Sequence, residues 1–407
     1  MNPSALDAQD PLRGFRDRFQ IAPGLIYLDG NSLGPLPLAT LKRVNQTVEH
    51  EWGVGLIRSW NDAGWISASQ RIGDKIARII GAQPGEVIVC DSTSINLFKL
   101  LMAGMALQDR RPVVLTQQGN FPTDLYMAEA VVKILGGGRR VVAVPNDELL
   151  SKLDEEVAIL YLTQVDYRTG ELLDMESLTS AAHAVGALVL WDLCHSAGAV
   201  PVNLGAAGAD LAVGCTYKYL NGGPGAPAYL FARQDLQPRL ENPLPGWMGH
   251  ASPFAMSPEY VPAEGIRRFL TGTPPIVAMN ALECGVDMWL EVDQAALRNK
   301  AIGLSDLFVE LVSPLLDRFG MEIATPLEPA KRGNQVALRH PEAYRVCRAL
   351  IDRGVVGDFR EPDILRLGFA PLYIRYEDVA KAAAILESVL NDESWRDARY
   401  SVRAAVT

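Results

Sequence analysis

The chain has 407 residues, of which 48% are apolar, 21% charged and 7% aromatic, and its formal net charge is −10 at pH 7. That length holds two or three domains of about 150 residues, or one large α/β domain with a smaller one attached. It carries no Lys/Arg block to neutralise a phosphate backbone or an anionic bilayer, no apolar run of the roughly 18 residues a membrane span needs, and no charged-then-apolar signal at its start, so nucleic-acid and membrane partners are not expected and a cytoplasmic enzyme of small molecules is.

In chain order, residues 1–45 read as an N-terminal arm. Its Gly/Pro-rich stretch "GLIYLDGNSLGPLP" is an ordered loop, with helical periodicity beginning near Leu38. From Trp65 a helix is predicted to Ile80, then strand "EVIVC", a helix from Ser94 to Ala106, strand "PVVLT", a helix from Thr123 to Leu135, and strand "RVVAV". A helix "DELLSKL", strand "VAILYLT", a helix from Met175 to Val185, and strands "ALVLWD" and "DLAVGC" follow. This alternation predicts βαβ crossovers and a mainly parallel, doubly wound sheet in a large domain, 46–274. Past Pro274 the pattern changes to long helices with sparse strands such as "NQVALRH" and a last helix near Asp378 to Leu390, predicting a smaller α+β domain, 275–407. The five cysteines form no CxxC pair and sit among apolar neighbours, so they read as buried reduced thiols.

In open α/β sheets ligands bind beyond the carboxyl ends of the strands, so the polar residues there are the ones to inspect. "VIVCDSTSINLF" places Ser92, Thr93 and Ser94 before a helix, either as an anion site or as a plain N-cap. "NFPTDLYMAEA" places Phe121, Pro122, Thr123 and Asp124 at the next junction. "ALVLWDLCHSAGA" ends an apolar strand on Asp192, with His195 three residues on; a carboxylate there needs a cationic or donor partner. In "AVGCTYKYLNGGPGAPAYLF" two apolar runs read as buried strands joined by a tight connection, with Lys218 at a strand end, where an unpaired ammonium costs several kcal/mol. Taken alone, Lys218 could equally snorkel to the surface. Together these residues match one ligand with a phosphate, an aromatic cation and an electrophilic carbon, namely pyridoxal phosphate (PLP). "GGG" at 136–138 follows a helix and is not GxGxxG, so a nicotinamide site is disfavoured.

The stretches "GNSLG", "NFPTD", "TQVDYRTGEL", "WDLCHSAGAVP", "CTYKYLNGGPG", "GWMGH" and "FLTGTPPI" resemble the kynureninase family, PLP enzymes of fold type I. The resemblance implies that Lys218 holds the cofactor aldehyde, that Asp192 pairs with the pyridinium nitrogen with His195 close by, and that Phe121 stacks on the ring with Asp124 near its nitrogen side, beside Pro122 and Thr123. It implies a phosphate site of Thr93, Ser94, Thr163, Tyr217, Trp247 and Thr273, completed in part by a second subunit of a homodimer. Arg366 would clamp the substrate α-carboxylate, with Asn31, Ser32 and Arg58 on the substrate side. The implied reaction is hydrolysis of the Cβ–Cγ bond of L-kynurenine to anthranilate and L-alanine, with Tyr217 as the candidate acid/base beside the scissile carbonyl and no metal. Members favouring 3-hydroxykynurenine tend to carry a histidine near "VGxxRxW" and an asparagine where this chain has Thr273; Gly53 stands at or next to the histidine position, so plain L-kynurenine is expected. A cysteine desulfurase or an aminotransferase of the same fold is the rival within PLP enzymes, but a desulfurase needs a cysteine on a mobile loop and Cys347 lies in the helical pattern "AYRVCRALIDRG". A non-catalytic PLP-binding protein is the rival from another class.

Overall fold

The apolar runs form strands where the pattern places them, because each is long enough to cross a sheet and too short for a buried helix. The computed structural model describes residues 2–404. After an arm strand β1 (Ile26–Tyr27) come β2 (Val87–Val89), β3 (Val113–Gln117), β4 (Arg140–Val144), β5 (Val157–Thr163), β6 (Leu188–Asp192), β7 (Leu211–Gly214) and β8 (Tyr229–Ala232). Strands β2 to β8 form a seven-stranded sheet in the order β2-β8-β7-β6-β5-β3-β4. Neighbours from β4 to β7 pair in parallel, and β8 runs antiparallel to both β7 and β2. Every residue of β5, β6 and β7 is buried, as continuous Val/Ile/Leu runs require when helices cover both faces. The covering helices include Ala68–Ile79, Thr93–Leu107, Pro122–Leu135 and Met175–Ala184.

Three expectations are corrected. Residues 147–153 make short 3₁₀ turns, Asn146–Glu148 and Leu150–Lys152, because a segment this short with one fully buried leucine, Leu149, cannot offset helix nucleation. The two apolar runs flanking Lys218 are joined by a folded loop over 215–228 in place of a tight turn. In it the Gly222 N–H donates to the Thr216 carbonyl (2.9 Å) and the Thr216 hydroxyl to the Pro227 carbonyl (2.6 Å). The cysteines are all free, but Cys194 and Cys284 are only partly buried.

The remaining strands are β9 (Glu322–Ile323), β10 (Gln335–Arg339), β11 (Val355–Val356), β12 (Asp358–Arg360) and β13 (Ile364–Gly368). Four of them form an antiparallel sheet in the order β12-β13-β10-β9, beside the helices Gln294–Phe319, Ala343–Asp352 and Tyr376–Asn391. The start of the chain is stitched to this unit. β1 pairs in parallel with β11, and the Asp7 carboxylate accepts from the Tyr376 and Glu377 N–H groups (2.8 and 3.0 Å), capping the final helix where its dipole is positive. Lys300 pairs with Asp10 at 2.6 Å, both buried. The arm then reaches the large sheet: Gly34 N–H donates to the Tyr217 carbonyl at 2.8 Å, and a Cβ on Gly34 would lie 2.2 Å from the Lys218 carbonyl oxygen. Only glycine allows that approach, so "GNSLG" is a backing plate for the lysine loop.

Candidate active site

At the carboxyl edge of the seven-stranded sheet, β6 ends on Asp192 and the loop after β7 carries Tyr217 and Lys218. Lys218 Nζ lies 2.9 Å from His195 Nε2. Burial, and then the Lys218 cation, hold the His195 imidazole well below its ordinary pKa, so the ring is neutral, and its buried Nδ1 has no protein partner. Asp192 Oδ1 accepts the Cys194 N–H at 2.7 Å, which fixes the carboxylate against its own turn. Beside it, Asp124 is buried in the first turn of the Pro122–Leu135 helix. Burial, and next the neighbouring Asp192 charge, raise the Asp124 carboxyl well above its usual range. The Thr163 hydroxyl lies 2.5 Å from Asn120 Oδ1 and 3.3 Å from Asp124 Oδ2. Phe121 stands at the helix entrance, edge-on to Tyr167 with ring centroids 5.1 Å apart. Thr93, Ser94, Phe121, Thr123, Asp124, Thr163, Asp192, His195, Tyr217 and Lys218 enclose one cavity of about 110 Å³, with Cys194 and Tyr167.

A second cavity of about 430 Å³ lies alongside, and Thr93 and Tyr217 line both. Its wall is Ser92 and Thr93 at the N-terminus of the Thr93–Leu107 helix, Gly225 with φ +70° from the lysine loop, and Thr271, Gly272 and Thr273. Lys99 holds this wall together from behind. Fully buried, it donates to Asp91 Oδ2 (2.6 Å) and to the Phe269 carbonyl (2.7 Å), tying the end of β2 to the segment that leads to Thr273. Hydroxyls, loop N–H groups and a helix N-terminus make a seat suited to a phosphate dianion. Burial pushes the Tyr217 phenol strongly upward, and the adjacent Cys215, Cys194 and Asp192 add to this, so it is a proton donor at neutral pH.

On the opposite side, the arm meets β12 and β13. Arg366 is buried and donates through Nε to Asp358 Oδ1 (2.8 Å), through Nη2 to Asp358 Oδ2 and to Ser32 Oγ (2.9 Å), and through Nη1 to the Tyr167 carbonyl. With its amide oxygen turned to the guanidinium, Asn31 accepts from Arg366 Nε and Nη2 at 2.8 and 3.0 Å. The Tyr167 ring and carbonyl thus connect the arginine corner to the lysine cavity.

Pyridoxal phosphate fits this arrangement. Two buried carboxylates, Asp124 and Asp192, face each other, and among the described residues neither forms an ion pair with a Lys, Arg or His, so the floor is built for a cation such as a pyridinium. An amine stands across from them and a phosphate seat lies to one side. Three expected residues are not brought in, and Thr163, expected at the phosphate, lies with Asn120 and Asp124 in the lysine cavity and does not line the seat. Pro122 is exposed at the start of its helix and lines neither cavity. Arg58 is exposed and, among the described residues, donates only to the Gly55 and Val54 carbonyls nearby. Trp247 is 37% exposed and packs edge-on against Phe254, away from both cavities. Asn120, Tyr167, Cys194 and Asp358 are not among the residues expected from the sequence; Asn120 opens "NFPTD" and Tyr167 falls within "TQVDYRTGEL", so both stood beside a signal, while no sequence signal marks Asp358.

Residues 297–386 match the kynureninase C-terminal domain. A protein named kynureninase from Pseudomonas fluorescens is 50% identical over 408 residues, covering 99% of this chain and 98% of that protein. The chain belongs to the kynureninase family. A kynureninase of Burkholderia pseudomallei (strain 1106a) is 49% identical, over 99% of this chain and 98% of its own. Among solved structures, the apo cysteine desulfurase of Thermococcus onnurineus NA1 superposes with TM-score 0.80 at 18% identity, covering 93% of this chain and 98% of that one, which places this kynureninase-family chain in PLP fold type I. The desulfurase likeness carries the fold alone, and Cys347, buried within the Ala343–Asp352 helix, offers no loop thiol.

Proposed function

We propose that Lys218, Asp192 and Tyr217 carry out, with pyridoxal phosphate, the hydrolytic Cβ–Cγ cleavage of L-kynurenine to anthranilate and L-alanine that membership of the kynureninase family assigns to this chain. The observation that carries the reading is the lysine set against a neutral histidine and across from two cation-seeking carboxylates. A bound PLP supplies an electron sink for the negative charge that the substrate's Cα and then Cβ must bear. Asp192 would keep the pyridinium protonated, which deepens that sink, while Asp124, Thr163 and Asn120 would fix the neighbouring face. Phe121 would cover the ring, and Thr93, Ser94 and Thr273 would hold the phosphate.

Lys218 Nζ would hold the cofactor aldehyde, and it is the amine placed to move the proton at Cα. His195, neutral and 2.9 Å away, accepts a hydrogen bond from the amine without competing for its positive charge. Tyr217 keeps its proton through the neutral range and stands between the lysine cavity and the phosphate seat, so it donates to the γ-carbonyl oxygen as water adds and takes the proton back as the aryl acid leaves. Tyr217→Phe is expected to slow turnover by roughly 10²- to 10⁴-fold, the range for a lost acid/base group; full activity would remove Tyr217 from the chemistry. Arg366 is the carboxylate clamp, a planar guanidinium made for a bidentate partner.

Residues 46–274 would form the cofactor-binding unit, and 1–45 with 275–407 the unit that delivers Arg366. A homodimer, by analogy with the fold, would bring Trp247 and Arg58 of one subunit toward the cavities of the other, and exposed Trp52, Val54, Leu56 and Ile57 supply apolar surface for it. Among the described residues no helix is long and apolar enough to cross a membrane. Specificity constants for L-kynurenine and 3-hydroxykynurenine test the substrate assignment: the unhydroxylated substrate is expected to win, and a preference for the hydroxylated one would overturn it.

A further inference from the structure

The arginine corner holds more charge than a single clamp requires. Asp358 Oδ2 accepts from Arg366 and from Arg360 (2.5 Å) and also from the Ser32 hydroxyl (2.7 Å), so one carboxylate serves two guanidiniums. Directly behind it lies Asp29, at the head of the loop that carries Asn31 and Ser32; its Oδ1 is buried with no partner. Among the described residues Asp29 forms no ion pair, because both arginines are turned to Asp358. We propose that Asp29 is a specificity-determining residue of this site, its carboxyl setting the net charge that the substrate α-carboxylate meets at Arg366. The inference rests on the reading of Arg366 as the clamp.

With Asp29 protonated, two guanidiniums face one carboxylate and the corner has one positive charge left for an incoming anion. With Asp29 ionised the charges cancel, and the substrate carboxylate enters a buried site that already holds two like charges. Burial, and then Asp358, push the Asp29 carboxyl up to about 7, against the opposing pull of Ser32, Arg366 and Arg360. Asp358 stays ionised, since Arg366, Arg360 and Ser32 outweigh the burial that would raise it. The other titratable groups around the corner keep their neutral forms: burial raises the Tyr27, Tyr219 and Tyr373 phenols and the Cys347 thiol far above the neutral range. His195, which feels Arg366 and Arg360 from the lysine side, is held uncharged. Asp29 is therefore the group of this corner that changes charge near neutrality. Substrate binding takes up a proton there, because the arriving anion raises Asp29 further.

The test follows the KM ratio of L-kynurenine to its α-carboxamide, which lacks the anionic carboxylate, as pH is raised through about 7. The carboxamide's α-amine is less basic, a difference common to wild type and variants, so the wild-type ratio is divided by that of Asp29→Asn. In the PLP-loaded enzyme this quotient is expected to rise above the break with a slope approaching about tenfold per pH unit. Asp29→Glu should restore the slope that Asp29→Asn lacks. An Asp29→Asn enzyme with the wild-type slope overturns the proposal. If Asp29→Asn does not fold, Arg360→Gln, which removes a cation that holds the Asp29 pKa down, must move the break to higher pH; a break that stays in place overturns the proposal equally. Failure of the clamp reading looks different: Arg366→Gln would then leave the kynurenine-to-carboxamide ratio unchanged at every pH.

Discussion

The floor beneath Lys218 and the corner around Arg366 are both buried charge clusters, and they are out of balance in opposite directions. The floor sets Asp124 beside Asp192 with no cation between them, and it raises the Asp124 carboxyl to lower that cost. The corner sets Arg360 and Arg366 on one Asp358, with Asp29 held near neutrality behind. One cluster awaits a cation and the other an anion: a PLP cofactor would offer its pyridinium to the floor, and an amino-acid substrate its carboxylate to the corner. Neither imbalance would persist for packing alone, since a buried charge without a partner costs several kcal/mol.

The largest expected effect comes from breaking the floor. Asp192→Asn removes the carboxylate that would keep a proton on the ring nitrogen, and turnover of L-kynurenine should fall by roughly 10²- to 10⁴-fold, as for loss of a group that controls a proton in the reaction. Anthranilate fluorescence reads this directly. Next is Asp358→Asn, which leaves two guanidiniums facing each other in a buried site. Removing one partner of such a network costs about 3–5 kcal/mol, visible as a lower urea midpoint at an unchanged slope. Arg366→Gln should raise KM well before it lowers kcat, because the clamp binds the ground state and the transition state alike. The smallest effect should come from a charge cluster outside both sites. Glu283, lowered to about 2 chiefly by Arg71 and Lys75 against its own burial, contributes stability above its ordinary pKa and loses it as pH falls through about 2. It is partly open to solvent, so Glu283→Gln should cost no more than about 1 kcal/mol at neutral pH, and added salt should shrink that cost.

The two clusters also differ in how much of them the sequence displays. The floor is legible because parallel strands put their next residues in one place: "LVLWD" and "LAVGC" end side by side, with Asp192 opposite Val213 in register, and the residues after each strand meet above the sheet. The corner is assembled from segments more than three hundred residues apart, Asp29 to Ser32 and Asp358 to Arg366, that meet because β1 pairs with β11. No local pattern announces that pairing. Motif likeness supplied Asn31, Ser32 and Arg366, but Asp29, Asp358 and Arg360 needed the fold. The loop carrying Lys218 shows a similar limit. Its apolar flanks marked β7 and β8, but the hydrogen bonds that hold its fold and the seat of Gly34 beneath it depend on tertiary contact.

If Lys218, facing a cation-seeking floor, makes this chain a working kynurenine hydrolase, the release of anthranilate shows it. Purified, PLP-loaded wild-type protein given L-kynurenine should release anthranilate, with a visible cofactor band that borohydride traps on Lys218, and Lys218→Ala should release none above background. No anthranilate from the wild type, or wild-type release from Lys218→Ala, would contradict the account.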